Sequence, residues 1–492
     1  MSRRRVLLAV LTALVIARSA VFVFWPQSHF DSDQAVTGLM AKHLSEFRAF
    51  PVFWYGQTYM LGVEAWLAAP VFLAVGASVT ALKTPLLAIN IVVALLLFRA
   101  FARDAGLDDM KAAFATLFFV LAPPITAAHF LTANGGNVEP CLYVLLLWRL
   151  RRHAAWMGIV LGVGFLNREF TIYGAIALVA LEGLHRTLFT RDGARRYALT
   201  FGAAALVWTA FLVLRHVSSA AGPGTSVAAL STALASNNLL EVAHRLCLDP
   251  RAIAAGVGRL FTTHWPELFG LEPQRLTDFG IESAVRQGMR GSAWLLVPVF
   301  GIPIVRIAAL RSRPEATERA PDVCAYLTLV AALSVAGYLV GRCGEIDFYT
   351  MRYELLSILG AAGLAAWYLR IERSRAVLGV WGTSCALVLA ISVFAHARLL
   401  AEYATRPPVA LKQDLIRELD ARHIRYAYAD FWTSYYVSFM TRERIIVASD
   451  DAVKVRTYNR LVDAHRDEAV RISRRPCPDG QQLTAAFWIC KP

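Results

Sequence analysis

Two carboxylates lie one residue apart in the stretch FDSDQAVTGLM, residues 30–40, directly after an apolar segment. A carboxylate such as Asp31 or Asp33 can take a proton from a hydroxyl group as a general base. Charge close to a hydrocarbon core is costly unless it serves a function or reaches water. Asp is also a preferred helix cap, so either residue could only cap a helix that starts near Gln34. The residues alone leave both interpretations open.

Further polar side chains cluster in short segments between apolar runs. They are Gln57, Tyr59 and Glu64 in the first loop, His129 and Glu139 in HFLTANGGNVEP, Arg168 in NREF, and Arg342, Arg352 and Tyr353 in GRCGEIDFYTMRYELL. Transfer of a phosphate-linked sugar needs these residue types. Arg or Lys stabilises the negative charge that develops on the leaving phosphate. The anomeric carbon passes through an oxocarbenium-like state, and a carboxylate accepts the proton of the acceptor hydroxyl.

Each of these residues also has a purely structural interpretation. Glu64 and Glu139 begin apolar segments, where an acid complements a helix dipole. Tyr59 belongs to an aromatic group typical of a membrane interface, and Arg342 could anchor there. His129 could be a histidine at the membrane interface whose ring nitrogens are hydrogen-bonded within the protein. Arg168 could pair with the end of a helix.

The composition indicates a membrane protein. Of the 492 residues, 57% are hydrophobic and 17% are charged, beyond the usual range of a soluble domain. Residues 6–25 match the roughly 20 residues that cross a bilayer core. They follow MSRRR and lack a small-residue cleavage site, which favours a retained span.

Ten further apolar runs suggest an all-α polytopic fold with about 11 transmembrane helices. They lie at residues 84–101, 112–128, 138–150, 155–167, 171–185, 197–215, 293–310, 322–341, 354–369 and 376–397. A shorter run at 61–77 contains Glu64 and Pro70 and could be re-entrant or interfacial instead.

The distribution of Lys and Arg predicts the orientation. With the N-terminus in the cytoplasm, the six cytoplasmic segments hold 20 Lys and Arg, and the opposite short loops hold 6. FDSDQ is then extracytoplasmic. The formal net charge of +14 follows largely from this asymmetry, so we predict no nucleic-acid partner.

The chain divides into a membrane block at 1–397 and an extracytoplasmic tail at 398–492. The first external loop covers about 26–83 and the large one about 216–291. The tail has helical patterns in VALKQDLIRELDAR (409–422) and DAVKVRTYNRLVDAH (451–465) and strand patterns in IRYAYAD, RIIVAS and AAFWIC, so we predict a small α/β domain. The cysteines show no metal-binding spacing. Cys477 and Cys490 lie in the tail, where a disulfide is permitted, and the sequence leaves their pairing open.

Several stretches resemble the GT-C superfamily of membrane glycosyltransferases, in the same order along the chain. They are DSDQAVTGLMAKHLSEFRAFPVFWYGQTYMLGVEAWLAAP, HFLTANGGNVEPCLYVLLL, MRYELLSI and YADFWTSYYVSFMTRERIIVAS. The resemblance is to bacterial relatives of protein O-mannosyltransferases and of the lipid A aminoarabinose transferase. It implies a bundle of transmembrane helices with a large first external loop.

The resemblance also implies roles for individual residues. Asp33 matches the acidic residue that acts as general base toward a polyprenyl-phosphate sugar, with inversion, and Gln34 stands where the family more often has Glu. Asp31 becomes a secondary acid. Arg352 and Tyr353 match the residues expected at the donor phosphate. A Glu-Lys-Pro-Pro type element of the family is replaced by QTYMLGVEAW, so its lysine is absent.

We therefore predict a multi-pass glycosyltransferase of the inner (plasma) membrane, with its catalytic loops extracytoplasmic. Its expected partners are the polyprenyl-phosphate sugar donor, a lipid, protein or glycan acceptor, and the bilayer. Asp31 and Asp33 could hold a divalent ion, but two carboxylates alone make a weak metal site, so the sequence leaves a metal open and we predict no cofactor. The alternative classes are a transporter or flippase of a lipid-linked sugar and a non-catalytic scaffold.

Overall fold

The structure is a computed structural model that describes residues 2–57, 59–225, 246, 249–278, 281–311, 322–342, 349–478 and 480–491. A block of helices makes up most of the chain, and a small sheet follows near the C-terminus. The predicted all-α polytopic fold with a C-terminal α/β unit is confirmed.

The helical block contains sixteen labelled helices among the described residues and a short hairpin. In chain order the helices are α1 (Arg3–Phe24), α2 (Ser32–Ser45), α3 (Val63–Val75), α4 (Val79–Arg99), α5 (Asp109–Val120), α6 (Pro124–Phe130), α7 (Glu139–Leu150), α8 (Ala154–Asn167), α9 (Thr171–Leu184), α10 (Arg191–Leu214), α11 (Pro250–Arg259), α12 (Trp265–Leu268), α13 (Ile302–Arg311), α14 (Val323–Arg342), α15 (Ser357–Ile371) and α16 (Arg375–Thr405). The antiparallel hairpin pairs β1 (Gln274–Asp278) with β2 (Ile281–Gln287).

Within the described residues, seven helices are long and apolar enough to cross a membrane. An eighth crossing results if α5 and α6, which meet at 83°, form one bent span. The predicted count of about eleven is not confirmed, because α7, α8 and α9 have only 12, 14 and 14 residues. At about 1.5 Å per residue these helices are near 20 Å long, shorter than the roughly 30 Å core.

The helices differ in how much apolar surface they expose. On α10, Leu206 is 71% exposed and Val213 is 65% exposed, whereas Ile358, Leu359 and Ala362 on α15 are buried. Exposed apolar side chains on a long helix indicate contact with lipid. We therefore place α10 at the lipid-facing periphery of the bundle and α15 in its interior.

One cation lies inside the first span. Arg18 of α1 is buried, and its Nη2 donates to Asn90 Oδ1 of α4 at 2.5 Å. Its Nη1 donates to the carbonyl oxygen of Phe119, and the guanidinium carbon lies 4.9 Å from the centre of that ring. Because the charge is hydrogen-bonded and packed on an aromatic ring, Arg18 acts as a structural link between α1, α4 and α5.

The segment between α1 and α4, predicted as the first external loop, contains α2 and α3 and folds against itself. Trp54 Nε1 donates to Thr37 Oγ1 of α2 at 2.9 Å, and the Trp54 amide donates to the Met60 carbonyl oxygen at 2.8 Å. The α3 helix has 13 residues and contains Pro70, so it is too short to cross the bilayer. These hydrogen bonds give the loop a defined structure, which fixes the orientation of α2 and of its first turn.

The last long helix, α16, continues without a break to Thr405, and the C-terminal unit follows. The unit consists of α17 (Leu411–Ala421), β3 (Tyr426–Ala429), α18 (Phe431–Met440), β4 (Ile446–Ser449), α19 (Arg456–Ala464), β5 (Val470–Ser473), β6 (Gln481–Gln482) and β7 (Trp488–Cys490). The sheet order is β4-β3-β5-β7-β6, with β3 parallel to β4 and β5 and the other pairs antiparallel. Cys477 and Cys490 form a disulfide.

Candidate functional site

Asp31 caps α2. Its Oδ1 accepts a hydrogen bond from the Gln34 amide at 3.0 Å, and the residue is only 4% exposed. The cap satisfies one of the unpaired amides at the helix start and adds negative charge at the positive helix end. The capping interpretation of this acid is therefore correct for Asp31.

Asp33 lies in the first turn of the same helix but has different surroundings. Its side chain is partly exposed, and no hydrogen bond or ion pair is found for its carboxylate among the described residues. Burial, followed by the charge of Asp31, raises the pKa of Asp33 to about 6, against the opposing effects of Arg352, Lys454 and Arg168. A free carboxylate with such a pKa can accept a proton near neutral pH.

Arg352 belongs to the 3-10 segment Tyr349–Glu354 that precedes α15. Its Nη2 donates to the Tyr353 hydroxyl at 3.2 Å, while its Nε is buried without a hydrogen-bond partner. The Tyr353 ring packs edge-on against Phe170 with centroids 5.6 Å apart. Arg352 therefore keeps donor capacity beside Asp33, which an anionic ligand could use.

Arg168 is the C-cap residue of α8, and it connects two parts of the site. Its guanidinium carbon lies 5.8 Å from the centre of the Tyr353 ring, and its charge acts on both Asp33 and Glu64. Its Nη1 contacts Met60 Sδ at 3.3 Å, and its Nε is buried without a hydrogen-bond partner. The NREF turn thus supplies a second cation with a spare donor.

Lys454, in the C-terminal unit, is a third cation that acts on Asp33. The sequence does not indicate this role, because the pattern of residues 451–465 predicts one continuous helix. The helix α19 begins only at Arg456, and Lys454 lies in the preceding loop. No local pattern connects residue 454 with residue 33, so only the folded chain shows this proximity.

Glu64 is the second residue of α3, and both its carboxylate oxygens are hydrogen-bonded. They accept from the amides of Gly135 and Gly136 at 2.7 and 2.8 Å. Both glycines have positive φ, 98° and 89°, which favours glycine. Glu139, the first residue of α7, is buried beside Glu64 and interacts with its carboxyl group. Glu64 therefore holds the loop between α6 and α7 and pairs with a second buried acid.

His129 is buried at the end of α6, with its ring edge-on to His29 at 5.9 Å. The charge of Arg352 acts on the His129 ring, so His129 belongs to the same region of the structure as Arg352. A buried pair that the sequence analysis missed is also nearby, with His264 Nδ1 2.7 Å from Glu354 Oε2. Glu354 follows Arg352 in MRYELLSI, so its position in that motif was the available signal.

The remaining predicted residues have different placements. Gln57 has a buried Oε1 without a hydrogen-bond partner, and Tyr59 is 49% exposed. The side chain of Arg342 lies outside the described part of the structure, as do the neighbouring loop residues 343–348.

The residues can be grouped by what they offer chemically. Asp33 can take up a proton, and the three cations whose charges act on its carboxylate, Arg352, Arg168 and Lys454, are here called the cation cluster. Among the described residues, no group of three or more His, Cys, Asp and Glu side chains is arranged to hold a metal. The arrangement fits proton transfer next to a bound anion.

Comparison with known proteins shows the fold. No protein-family model and no curated protein matches the sequence. The crystal structure of ArnT from Cupriavidus metallidurans bound to undecaprenyl phosphate matches with a TM-score of 0.56 at 12% identity, covering 99% of this chain and 97% of ArnT. The same protein in the apo state matches with a TM-score of 0.53 at 11% identity, covering 98% and 97%. This likeness confirms the GT-C fold predicted from the sequence.

Proposed function

We propose that the protein is an integral membrane glycosyltransferase. It moves a sugar from a polyprenyl-phosphate carrier to an acceptor on the extracytoplasmic side of the inner membrane. The observation that carries the proposal is Asp33, a carboxylate without a hydrogen-bond partner among the described residues, surrounded by the cation cluster on a GT-C fold.

In this reaction the hydroxyl oxygen of the acceptor attacks the anomeric carbon from the face opposite the phosphate. The bond between the anomeric carbon and the phosphate oxygen breaks, and the phosphate leaves with the bonding electrons. The hydroxyl proton passes to Asp33, which is ionised at neutral pH because its pKa is about 6. Attack from the opposite face inverts the anomeric configuration.

The donor phosphate binds at Arg352. Its Nη2 donates to the Tyr353 hydroxyl, but its buried Nε has no hydrogen-bond partner. A phosphate oxygen would accept the hydrogen bond that this Nε can donate. We retain Arg342 as a further phosphate-binding residue on the basis of its position in the same loop. The ArnT structure with the same fold is bound to undecaprenyl phosphate, which supports a polyprenyl phosphate as carrier.

The sugar binds on the side of Arg168 and Glu139. Gln57 carries a buried oxygen without a hydrogen-bond partner among the described residues, and such an atom is costly unless a ligand satisfies it. Sugar hydroxyls are suitable donors. Glu64 contributes by holding the glycine loop, and we assign His129 and Tyr59 to the boundary of the same subsite.

The test uses membranes containing the full-length protein and radiolabelled polyprenyl-phosphate sugars. Transfer of label to an extracytoplasmic acceptor by the wild type, and its loss in Asp33→Asn, would support the proposal. Asp467→Asn, an exposed carboxylate in the C-terminal unit, is the matched control and should transfer normally. Full transfer by Asp33→Asn would contradict the catalytic assignment. Movement of labelled lipid across the bilayer without a glycosyl product would instead favour a flippase.

A further inference from the structure

The C-terminal unit is packed directly onto the helix that carries Asp33. Helix α18 lies on α2, and Gly38 makes the close approach possible, because a Cβ there would fall 2.4 Å from Phe439 Cε2. The Tyr436 amide donates to Ser32 Oγ, one residue before Asp33, at 3.3 Å. The unit is therefore fixed to the first turn of α2.

A second attachment lies at the other end of α2, at Glu443. This carboxylate accepts hydrogen bonds from Lys42 at 2.5 Å, from His43 Nε2 at 3.0 Å and from the Tyr458 hydroxyl at 2.8 Å, and Arg48 also pairs with it. Burial opposes its ionisation, but His43 and the neighbouring cations hold the pKa of Glu443 well below its usual range. The C-terminal unit therefore contacts α2 at both ends, through Ser32 at the first turn and through Glu443 at the last.

The loop before α19 holds Lys454 in a defined position. The amides of Lys454 and Val455 both donate to the Tyr435 hydroxyl, at 2.5 and 3.2 Å. The lysine side chain then runs along Gly56, where a Cβ would fall 2.9 Å from Lys454 Cδ, and its Nζ lies 5.0 Å from the centre of the Trp54 ring. The side chain therefore points from the C-terminal unit into the first external loop.

Lys454 keeps its positive charge available. Among the described residues its Nζ makes no ion pair, and Asp33 is the carboxylate whose charge acts on it. Arg352 and Arg168 approach the same carboxylate from two other elements, each with a buried Nε that has no hydrogen-bond partner. The charges of three cations thus act on the one carboxylate of Asp33, and the two spare Nε donors suit an anionic ligand.

We propose that Lys454 binds the phosphate of the lipid-linked donor together with Arg352, so that the C-terminal unit forms part of the catalytic site. This inference rests on the proposed function. A lysine held from a separate unit contributes a point charge to the phosphate, while the arginine contributes directed hydrogen bonds. It also gives the tight packing of α18 on α2 a function, because the packing sets the position of the ammonium group.

The first experiment measures binding of undecaprenyl phosphate to the full-length protein in lipid nanodiscs. Lys454→Gln keeps most of the side-chain stem and removes the charge, and we expect it to weaken binding about tenfold. Lys454→Arg should bind within about threefold of wild type, since the charge is retained. Arg460→Gln, an exposed cation on α19, is the matched control and should bind as wild type does. Undiminished binding by Lys454→Gln would overturn the inference.

A second measurement separates a site residue from a structural one. In the transfer assay, Lys454→Gln should raise KM for the donor more than it lowers kcat. The acid limb of its rate-pH profile should also move to higher pH, because one cation that lowers the pKa of Asp33 is gone. A lysine that only acts on the charge of Asp33 would move the acid limb and leave KM for the donor unchanged, and that result would contradict the inference.

The outcome also distinguishes this inference from the proposed function. If the wild type binds undecaprenyl phosphate no better than undecaprenol, the proposed use of a phosphate-linked donor is wrong. If the wild type prefers the phosphate and Lys454→Gln retains that preference in full, only the role of Lys454 is wrong.

Discussion

Asp33 and Glu64 are both the second residue of a helix in the first external loop, yet the fold uses them differently. Asp33 begins α2 with a carboxylate that has no hydrogen-bond partner among the described residues. Glu64 begins α3 with both oxygens bonded to the amides of Gly135 and Gly136. Equivalent positions in two local helices therefore do not imply equivalent roles.

The difference comes from segments far away in the chain. The glycine loop between α6 and α7 brings two amide donors to Glu64, which fixes its carboxylate in place. Asp33 meets Arg352, Arg168 and Lys454, which influence its charge while leaving its oxygens accessible. One carboxylate is thus held by two amides, and the other has no hydrogen-bond partner among the described residues, as the proposed general base requires.

The largest expected effect is on catalysis. Asp33→Asn should lower kcat about 10³-fold, because loss of a general base typically costs 10²–10⁴-fold. Glu64→Gln should lower kcat much less, since Glu64 does not take the proton. Initial rates with a labelled polyprenyl-phosphate sugar measure both. A larger loss in Glu64→Gln than in Asp33→Asn would reverse the comparison.

The next effect concerns pH. The base must be unprotonated, so the rate should rise roughly tenfold per pH unit on the acid side and level off above the pKa of Asp33, which is about 6. A rate profile from pH 4 to 8 measures this limb. A profile flat through pH 6, with chemistry rate-limiting, would contradict the assignment of Asp33.

A smaller effect should appear in stability. Glu64→Gln places an amide group opposite two amide donors and leaves one unsatisfied, at a cost of about 1–3 kcal/mol. Asp33→Asn should leave stability unchanged or raise it slightly, because burial disfavours the ionised Asp33 in the fold. Thermal unfolding in detergent compares the two variants. Equal losses would mean that Asp33 also has a structural partner.

The smallest effects concern Asp31. Asp31→Ala should cost about 1 kcal/mol of stability through loss of the cap, and Asp31→Asn should cost a few tenths. Since the charge of Asp31 raises the pKa of Asp33, Asp31→Asn should also move the acid limb to lower pH. Unfolding and rate profiles of both variants check this. An unmoved acid limb in Asp31→Asn would show that the two aspartates do not interact.

The C-terminal unit shows which helices and strands local sequence patterns predict correctly. The sequence predicts strands in IRYAYAD, RIIVAS and AAFWIC and helices at 409–422 and 451–465, and all five elements are confirmed, although the second helix begins only at Arg456. Helix α18 was missed, because FWTSYYVSFM is rich in aromatic and β-branched residues that favour strands. The segment is a helix because Asp430 caps it: the Asp430 carboxylate accepts a hydrogen bond from the Thr433 amide at the helix start.

The sequence by itself determined that this is a polytopic membrane protein with a polar face. Hydrophobic length and the placement of Arg and Lys are properties of contiguous segments, so they can be read without the fold. Tertiary structure decided which acid is free, which is bonded, and which cations approach it. Lys454 and Asp33 are more than four hundred residues apart in the sequence, and only the packing of α18 on α2 brings their charges together.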